Sequence, residues 1–295
     1  FDRLLIATGK STLFLATLGT ASVVNLILDP ILIFGYFGFP AMGTAGAAIA
    51  TVTGQLAGGL LGICLNRKRN KEIPVHFTLQ ISKRHVVNIL KVGIPTAIMQ
   101  GIMSVMGIFI NTILYQFSST VVAIYGILLK VQNIAQICVQ GMNNSLIPII
   151  AYNYGAKKEK RIYETIRCAF VFAVMIMTVV VILLELIPEQ ILLLFDASEQ
   201  MLRFGIPAVR IMSLSFFVSC IGIIFAAIFQ GFGNGNYSMY LAFMRQVILL
   251  VPILLAGAYM NNLTVIWFGF VIAEVLSIPF GILLYQKNKR TLKYA

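Results

Sequence analysis

Apolar residues are gathered into long runs that charged, glycine or proline residues interrupt. The runs cover about 12–35, 42–65, 88–115, 120–151, 164–187, 204–231, 237–259 and 263–286. A transmembrane helix needs about 20 apolar residues, and the runs lack the alternating pattern of a lipid-facing β-strand. The pattern therefore predicts an all-α polytopic membrane protein with eight transmembrane helices, and residues 1–8 are interpreted as the end of another helix.

The composition excludes a water-soluble protein. Hydrophobic residues make up 59% of the chain and charged residues 11%, with a mean hydropathy of +0.91, whereas soluble domains carry about 25% charged residues. The four cysteines are isolated inside apolar runs, so neither a disulfide framework nor a metal site is expected. Serine, histidine and acidic residues form no nucleophile–base arrangement. We expect no enzymatic activity, no metal and no cofactor.

The net charge of +12 indicates how the chain is oriented in the membrane rather than a nucleic-acid partner. Basic residues cluster around 67–71, 157–161 and 287–293, whereas the alternate loops hold Glu189 and Asp196. Lys and Arg gather on the cytoplasmic side of short loops, where they lie beside anionic lipid headgroups. The pattern predicts a multi-pass protein of the plasma (inner) membrane with both ends cytoplasmic, in contact with the lipid bilayer and with no nucleic acid.

A long polar stretch and an internal repeat indicate two helix bundles. The predicted division is 1–66, the C-terminal part of a first bundle; 67–87, a cytoplasmic linker; 88–287, a second six-helix bundle; and 288–295, a cytoplasmic tail. At an offset of 222, Gly9, Pro30 and Gly35 align with Gly231, Pro252 and Gly257. Weak internal similarity is typical of transporters built from repeats. The offset leads us to expect that about 150 residues of the first repeat precede this chain.

Asn25 and Asp29 are the polar residues of the first full run, and their spacing of four puts them on one helix face. A charge at this depth costs at least ~2.5 kcal/mol on insertion scales. Pro30 also frees the carbonyl of residue 26 from its helical hydrogen bond. The arrangement suits binding of H⁺ or Na⁺; the alternative is a structural hydrogen bond that fixes a helix kink.

A polar stripe follows the run 120–151, and a second stripe follows the run before it. At 100° per residue the first stripe falls within ~160° and the second within ~40°. The first comprises Lys130, Gln132, Asn133, Gln136, Gln140, Asn143 and Asn144, and the second Gln100, Ser104 and Asn111. The two stripes predict a water-filled cavity in the second bundle; buried hydrogen bonds between helices are the alternative.

Three charged residues are predicted near the middle of the membrane. They are Lys130, Arg245 and Glu274, and Glu274 is the natural partner of either basic residue. The predicted substrate cavity thus comprises Gln100, Asn111, Lys130, Gln132, Asn133, Gln140, Asn144, Arg245 and Glu274.

Several motifs together resemble those of the multidrug and toxic compound extrusion (MATE) transporters. The motifs are Asn25-x-x-x-Asp29-Pro30 with Gly43-Thr-Ala-Gly46-Ala-Ala-Ile-Ala-Thr51, Tyr125-Gly126 with Lys130-Val-Gln132, Gly141-Met-Asn143-Asn144, Asn153-Tyr-Gly155-Ala156, and Gln230-Gly231-Phe-Gly233 with Arg245-Gln246. The resemblance implies twelve helices in two six-helix bundles, of which this chain would supply helices five to twelve. It also implies a monomer that exports drugs and organic cations by alternating access against H⁺ or Na⁺.

The resemblance also suggests where the coupling ion binds. Asn25, Asp29 and Thr51 match part of the acidic network in the first bundle of prokaryotic members. The second-bundle carboxylates of some Na⁺-binding members have no counterpart here, so we expect coupling through Asp29. The alternative is a flippase for lipid-linked oligosaccharide or peptidoglycan precursors, in which Lys130 and Arg245 would contact pyrophosphate.

Overall fold

The computed structural model describes residues 2–70 and 82–293, and the regular elements within these two ranges are helices. They are α1 (Asp2–Ala7), α2 (Ser11–Phe34), a 3₁₀ turn (Tyr36–Gly38), α3 (Thr44–Arg69), α4 (Lys83–Tyr115), α5 (Ser119–Gly155), α6 (Glu159–Leu186), α7 (Pro188–Leu193), α8 (Glu199–Gly231), α9 (Gly235–Phe243), a π-helical segment (Met244–Leu249), α10 (Leu250–Tyr259) and α11 (Leu263–Lys293). The predicted all-α fold is confirmed.

Within the described residues, eight helical stretches are long and apolar enough to cross a membrane, as the sequence predicts. One of these stretches, Gly235–Tyr259, consists of α9, the π-helical segment and α10. Several helices extend past the apolar runs that predicted them. The α3 helix continues to Arg69, because three basic residues in its last turn favour a helix C-terminus. Apolar runs mark the part of a helix that meets lipid rather than its ends.

The chain divides into two compact units, Phe1–Ile81 and Ser82–Ala295. The division point falls inside the predicted linker 67–87. Helical residues occupy both ends of that segment, because α3 ends at Arg69 and α4 begins at Lys83. The rest of the predicted linker, residues 71–81, lies outside the described residues.

In the first unit, small residues allow α2 and α3 to pack closely. Gly46, Gly54 and Gly58 recur on one face of α3 and are buried. A Cβ on Gly58 would lie 2.9 Å from both the carbonyl oxygen of Thr17 and the Cβ of Ala21. Later positions on α3 meet earlier positions on α2, so the two helices are antiparallel. Small residues at this spacing are typical of close helix packing in membranes.

In the second unit, α8 lies at the centre. It packs against α5, α6, α9 and α11, and it has more buried positions than any other described helix. Its buried set includes Ser215 and Ser219 among large apolar side chains such as Phe216. The central helix therefore brings hydroxyl groups into an otherwise apolar bundle.

Candidate functional site

The first unit holds a polar cluster where α2 faces α3. With its amide nitrogen directed at the carboxylate, Asn25 donates to Asp29 Oδ2 at 3.2 Å, and its oxygen accepts from the Thr51 backbone N–H at 3.2 Å. In the opposite amide orientation the nitrogen lies 3.4 Å from Thr51 Oγ1. Either way, Asn25 links the Asp29 helix to the Thr51 helix. The structure thus brings together the three residues predicted to couple a cation.

This cluster concentrates oxygen atoms around a half-buried carboxylate. Thr51 Oγ1 donates to the Ala47 carbonyl at 2.9 Å, which leaves its lone pairs free to accept. Pro30 follows Asp29 inside α2 and cannot donate a backbone hydrogen bond to the preceding turn. Carboxylate, amide and hydroxyl oxygens are the ligands of hard cations, and a carboxylate is also a group that can accept H⁺. The cluster is chemically suited to either ion.

The second unit contains a cavity of about 280 Å³ lined by α4, α5, α8, the π-helical segment, α10 and α11. Five of the residues predicted to line a substrate cavity lie in its wall: Gln132, Asn133, Gln140, Arg245 and Glu274. Gln132, Asn133 and Gln140 fall, with Gln136, within about 100° on α5. The cavity is therefore built on the middle of the predicted α5 stripe.

Arg245 and Glu274 form an ion pair in the cavity wall. Arg245 Nη1 lies 3.2 Å from Glu274 Oε2, and the two side chains are 11% and 12% exposed. Arg245 belongs to the π-helical segment, a rare geometry that often marks functional positions. Gly222 on α8 provides the space, because a Cβ there would lie 3.1 Å from Arg245 Nη1. Of the two partners predicted for Glu274, the structure selects Arg245.

A hydrogen bond between α5 and α8 completes the polar wall. Gln136 Nε2 donates to Ser219 Oγ at 3.0 Å, and Ser219 Oγ donates to the Phe216 carbonyl at 2.8 Å. Ser215 also lines the cavity. The sequence argument missed both serines, although their spacing of four on an apolar helix is a signal that it could have used.

Apolar side chains complete the lining of the cavity. Met103 and Met106 come from α4, Tyr125 from α5 and Phe270 from α11. The Tyr125 ring lies 6.0 Å from Phe270 and 6.5 Å from Trp267, measured between ring centroids. The cavity is therefore amphipathic, because an ion pair and amides line it together with aromatic and methionine side chains.

Two predicted residues of α4 do not line this cavity. Gln100 and Asn111 are exposed in the unit and absent from the cavity wall. A neighbouring face of α4 lines the cavity instead. That face carries Met103, Met106, Gly107 and Ile110 and is adjacent to the stripe of Gln100 and Asn111. Periodicity identified a polar face on α4, but the apolar face beside it meets the cavity.

Lys130 and Asn144 also lie outside the cavity wall, because they stand at the edge of the α5 stripe. Lys130 Nζ is 5.6 Å from the centre of the Phe195 ring, a cation–π contact. Phe195 lies between α7 and α8, so the Lys130 side chain contacts that connection rather than the cavity. Of the two alternative partners of Glu274, Lys130 is not the one that pairs with it, because Glu274 pairs with Arg245.

Curated relatives share low but extended identity with the chain. It is 26% identical over 271 residues to "Multidrug export protein MepA" of Staphylococcus haemolyticus, covering 92% of this chain and 59% of the relative. It is 27% identical over 254 residues to the protein of that name in Staphylococcus aureus (strain MSSA476), covering 86% of this chain and 55% of the relative. The chain thus spans less than two thirds of the length of these relatives.

Solved structures share the fold. An outward-facing multidrug resistance MATE family transporter of the MOP superfamily superposes with a TM-score of 0.89 at 23% identity, covering 99% of this chain and 65% of that one. A MOP superfamily transporter from Pyrococcus furiosus gives a TM-score of 0.87 at 24% identity, covering 97% and 64%. Residues 95–255, more than half of the chain, match the family model MatE. The resemblance in the motifs is therefore confirmed, and the chain belongs to the MATE family.

Proposed function

We propose that this protein exports small organic molecules across the plasma membrane in exchange for H⁺ or Na⁺, and that Asp29 binds the coupling ion. The names of the curated relatives support export of multiple drugs. The observation that carries the proposal is the cluster of Asn25, Asp29 and Thr51 between two membrane-spanning helices. A carboxylate is costly within a bilayer and marks an ion pathway more often than a structural contact.

The cluster would respond to ion binding through its hydrogen bonds. Asn25 donates to the Asp29 carboxylate and accepts from the Thr51 backbone, so neutralising Asp29 alters the hydrogen bonds that link α2 to α3. A ligand shifts a conformational equilibrium by its differential affinity for the two states. An ion entering from outside would thus favour one arrangement of the bundle and drive release of the exported molecule.

The cavity of the second unit is the proposed binding place for the exported molecule. Its amphipathic wall suits drug-like compounds, because flexible methionines such as Met103 adapt to different shapes. We further propose that both ends of the chain are cytoplasmic, since the basic clusters around 67–71, 157–161 and 287–293 alternate with loops that are poor in Lys and Arg, one of which holds Glu189 and Asp196.

Export of ethidium from energised cells tests the function. The full-length protein is expected to lower cell-associated ethidium fluorescence, and Asp29→Asn is expected to abolish this effect at equal expression. Asp196→Asn is the matched control, because Asp196 lies in a connection between helices with a positive φ of 53° that Asn tolerates well. Undiminished export by Asp29→Asn would contradict the coupling role of Asp29.

The coupling ion is tested in proteoliposomes with an imposed pH gradient or an imposed Na⁺ gradient. One of the two gradients is expected to drive ethidium movement in the wild type and to fail in Asp29→Asn. Movement that neither gradient stimulates would contradict ion-coupled exchange.

The flippase alternative relied on Lys130 and Arg245 as contacts for pyrophosphate. Arg245 is paired with Glu274 at 3.2 Å, and Lys130 is absent from the cavity wall, so export of small molecules is the better supported function. Rescue of a cell-envelope precursor defect by a protein that exports no drug would reverse this preference.

A further inference from the structure

We propose that the cavity of the second unit binds small zwitterions with an aromatic body, of the aromatic α-amino-acid type. The inference rests on the proposed function for the direction of transport, and it deepens that function by naming a ligand class. The family resemblance instead led us to expect organic cations. The difference arises from the charges in the cavity wall.

The charges in the wall balance one another. Among the described residues that line the cavity, the charged side chains are Arg245 and Glu274, and they form a direct ion pair. A simple cation would compete with Arg245 for Glu274 and leave a buried guanidinium without its partner. A simple anion would leave the carboxylate without one. Unpaired buried charges are strongly unfavourable. In a ligand that carries an ammonium beside a carboxylate, the ammonium can pair with Glu274 and the carboxylate with Arg245, so neither buried charge loses its partner.

Arg245 retains a hydrogen-bond donor for such a ligand. Its Nη1 contacts Glu274, whereas its Nε is buried and has no hydrogen-bond partner. A guanidinium presents its N–H groups in a fixed fork that matches a carboxylate. Arg245 lines the cavity, and we infer that its unsatisfied Nε is the donor for a ligand carboxylate next to the existing ion pair.

The apolar part of the lining fits an aromatic ring. Tyr125 and Phe270 line the cavity, and so do Met103 and Met106. Aromatic pairs in offset or edge-on geometry and sulfur–aromatic contacts both favour a ring at this place. The volume of about 280 Å³ is near the lower end of the range for ligand pockets, so the fit is for a molecule with one or two rings.

Direct binding to the purified full-length protein tests the proposal. The ligands are phenylalanine, phenethylamine and 3-phenylpropionate, which share the phenyl ring and differ in having both charges, the ammonium alone or the carboxylate alone. Quenching of Trp267 fluorescence reports binding, because its ring lies 6.4 Å from Phe270 in the wall, and Trp267→Phe identifies the signal. Phenylalanine is expected to bind at least about tenfold more tightly than either relative. Equal affinities for the three ligands would overturn the proposal.

Variants of the ion pair provide the second test. Arg245→Gln leaves a net negative wall and is expected to shift the preference to phenethylamine. Glu274→Gln leaves a net positive wall and is expected to shift the preference to 3-phenylpropionate. The double variant R245Q/E274Q removes both charges, keeps the wall neutral and decides the question if either single variant fails to fold. A double variant that retains the preference for phenylalanine would overturn the proposal.

Asp29→Asn separates this proposal from the proposed coupling. Binding in detergent needs no ion gradient, so this variant is expected to retain the preference for phenylalanine although it exports nothing. If Asp29→Asn still exports ethidium while phenylalanine is preferred, the coupling role fails and the zwitterion site stands. If export depends on Asp29 but the wild type shows no preference, the zwitterion site fails and the coupling role stands.

Discussion

Asn66 and Asn288 are buried amides at equivalent positions of the two units, 222 residues apart. Asn288 accepts a hydrogen bond from Asn234, which immediately precedes α9. Asn66 accepts from Asn70 at 3.0 Å, and Asn70 in turn accepts from Lys10, which immediately precedes α2. In both units, therefore, a chain of polar contacts ties the last helix to the start of the preceding span. The offset of 222 found from glycines and prolines extends to this contact.

Replacing Asn288 is expected to loosen this end of the second unit. Asn288→Ala removes the acceptor of the half-buried Asn234 amide, and a polar group left unsatisfied on folding costs about 1–3 kcal/mol. The expected result is a lower melting temperature of the detergent-solubilised protein. Asn236→Ala is the control, because Asn236 is exposed two residues from Asn234. Equal melting temperatures for the two variants would contradict a stabilising role for the contact.

The packing of α2 on α3 predicts opposite effects at two adjacent glycines. Gly58→Ala would place a Cβ 2.9 Å from the Thr17 carbonyl oxygen, and backbone at this contact cannot move aside. Overpacking of this kind costs about 1–3 kcal/mol. Gly59→Ala meets nothing within 4 Å, and Ala is the better helix former by about 1 kcal/mol.

Thermal unfolding followed by size-exclusion chromatography checks this pair. Gly58→Ala is expected to melt below the wild type and Gly59→Ala at or above it. If Gly58→Ala is as stable as Gly59→Ala, the close packing of α2 on α3 is contradicted.

The ion pair predicts a strongly non-additive double substitution. Arg245→Gln or Glu274→Gln alone leaves an uncompensated buried charge, which costs about 3–5 kcal/mol, whereas removing both charges is close to neutral. The double variant is therefore expected to melt nearer to the wild type than either single variant does. Melting curves of the four proteins measure the coupling. Additive losses would mean that the two groups do not interact.

Hydropathy was sufficient to predict the helices, because lipid imposes a length and an apolar composition on every span. The spacing of Asn25 and Asp29 was sufficient to place them on one face, since residues four apart on a helix are neighbours. Neither Pro188, which begins the short helix α7, nor the π-helical segment at Arg245 was predicted. The π-helical segment depends on packing that one stretch of sequence does not encode, whereas Pro188 at the start of a helix is a local signal that the sequence argument did not use.

The cavity was predicted only in part, for a geometric reason. Periodicity shows which residues share a helix face, and it grouped Gln132 and Gln140 correctly. It does not show which face meets a neighbouring helix, and on α4 the face carrying Gln100 is displaced from the cavity. The spacing of Ser215 and Ser219 could have marked both serines on α8, but the bond from Gln136 to Ser219 becomes visible only when α5 and α8 are packed together.

Two threonines on α3 provide a matched test of the polar cluster near Asp29. Thr51 Oγ1 donates to the Ala47 carbonyl at 2.9 Å, and Thr53 Oγ1 donates to the Ile49 carbonyl at 2.8 Å, so each hydroxyl makes the same local bond. Thr51 also lies 3.4 Å from the Asn25 amide. Thr51→Ala removes an oxygen from the proposed ion site and is expected to weaken the apparent affinity for the coupling ion about tenfold, or ~1.4 kcal/mol.

The measurement is ethidium transport in proteoliposomes as a function of the concentration of the driving ion. Thr53→Ala is expected to match the wild type, because its hydroxyl lies away from the cluster and its loss changes the helix to the same extent. If both variants shift the ion dependence equally, the effect arises from the helix rather than from the site. A shift confined to Thr51→Ala assigns its hydroxyl to ion binding, and the three residues then act together as one coupling site.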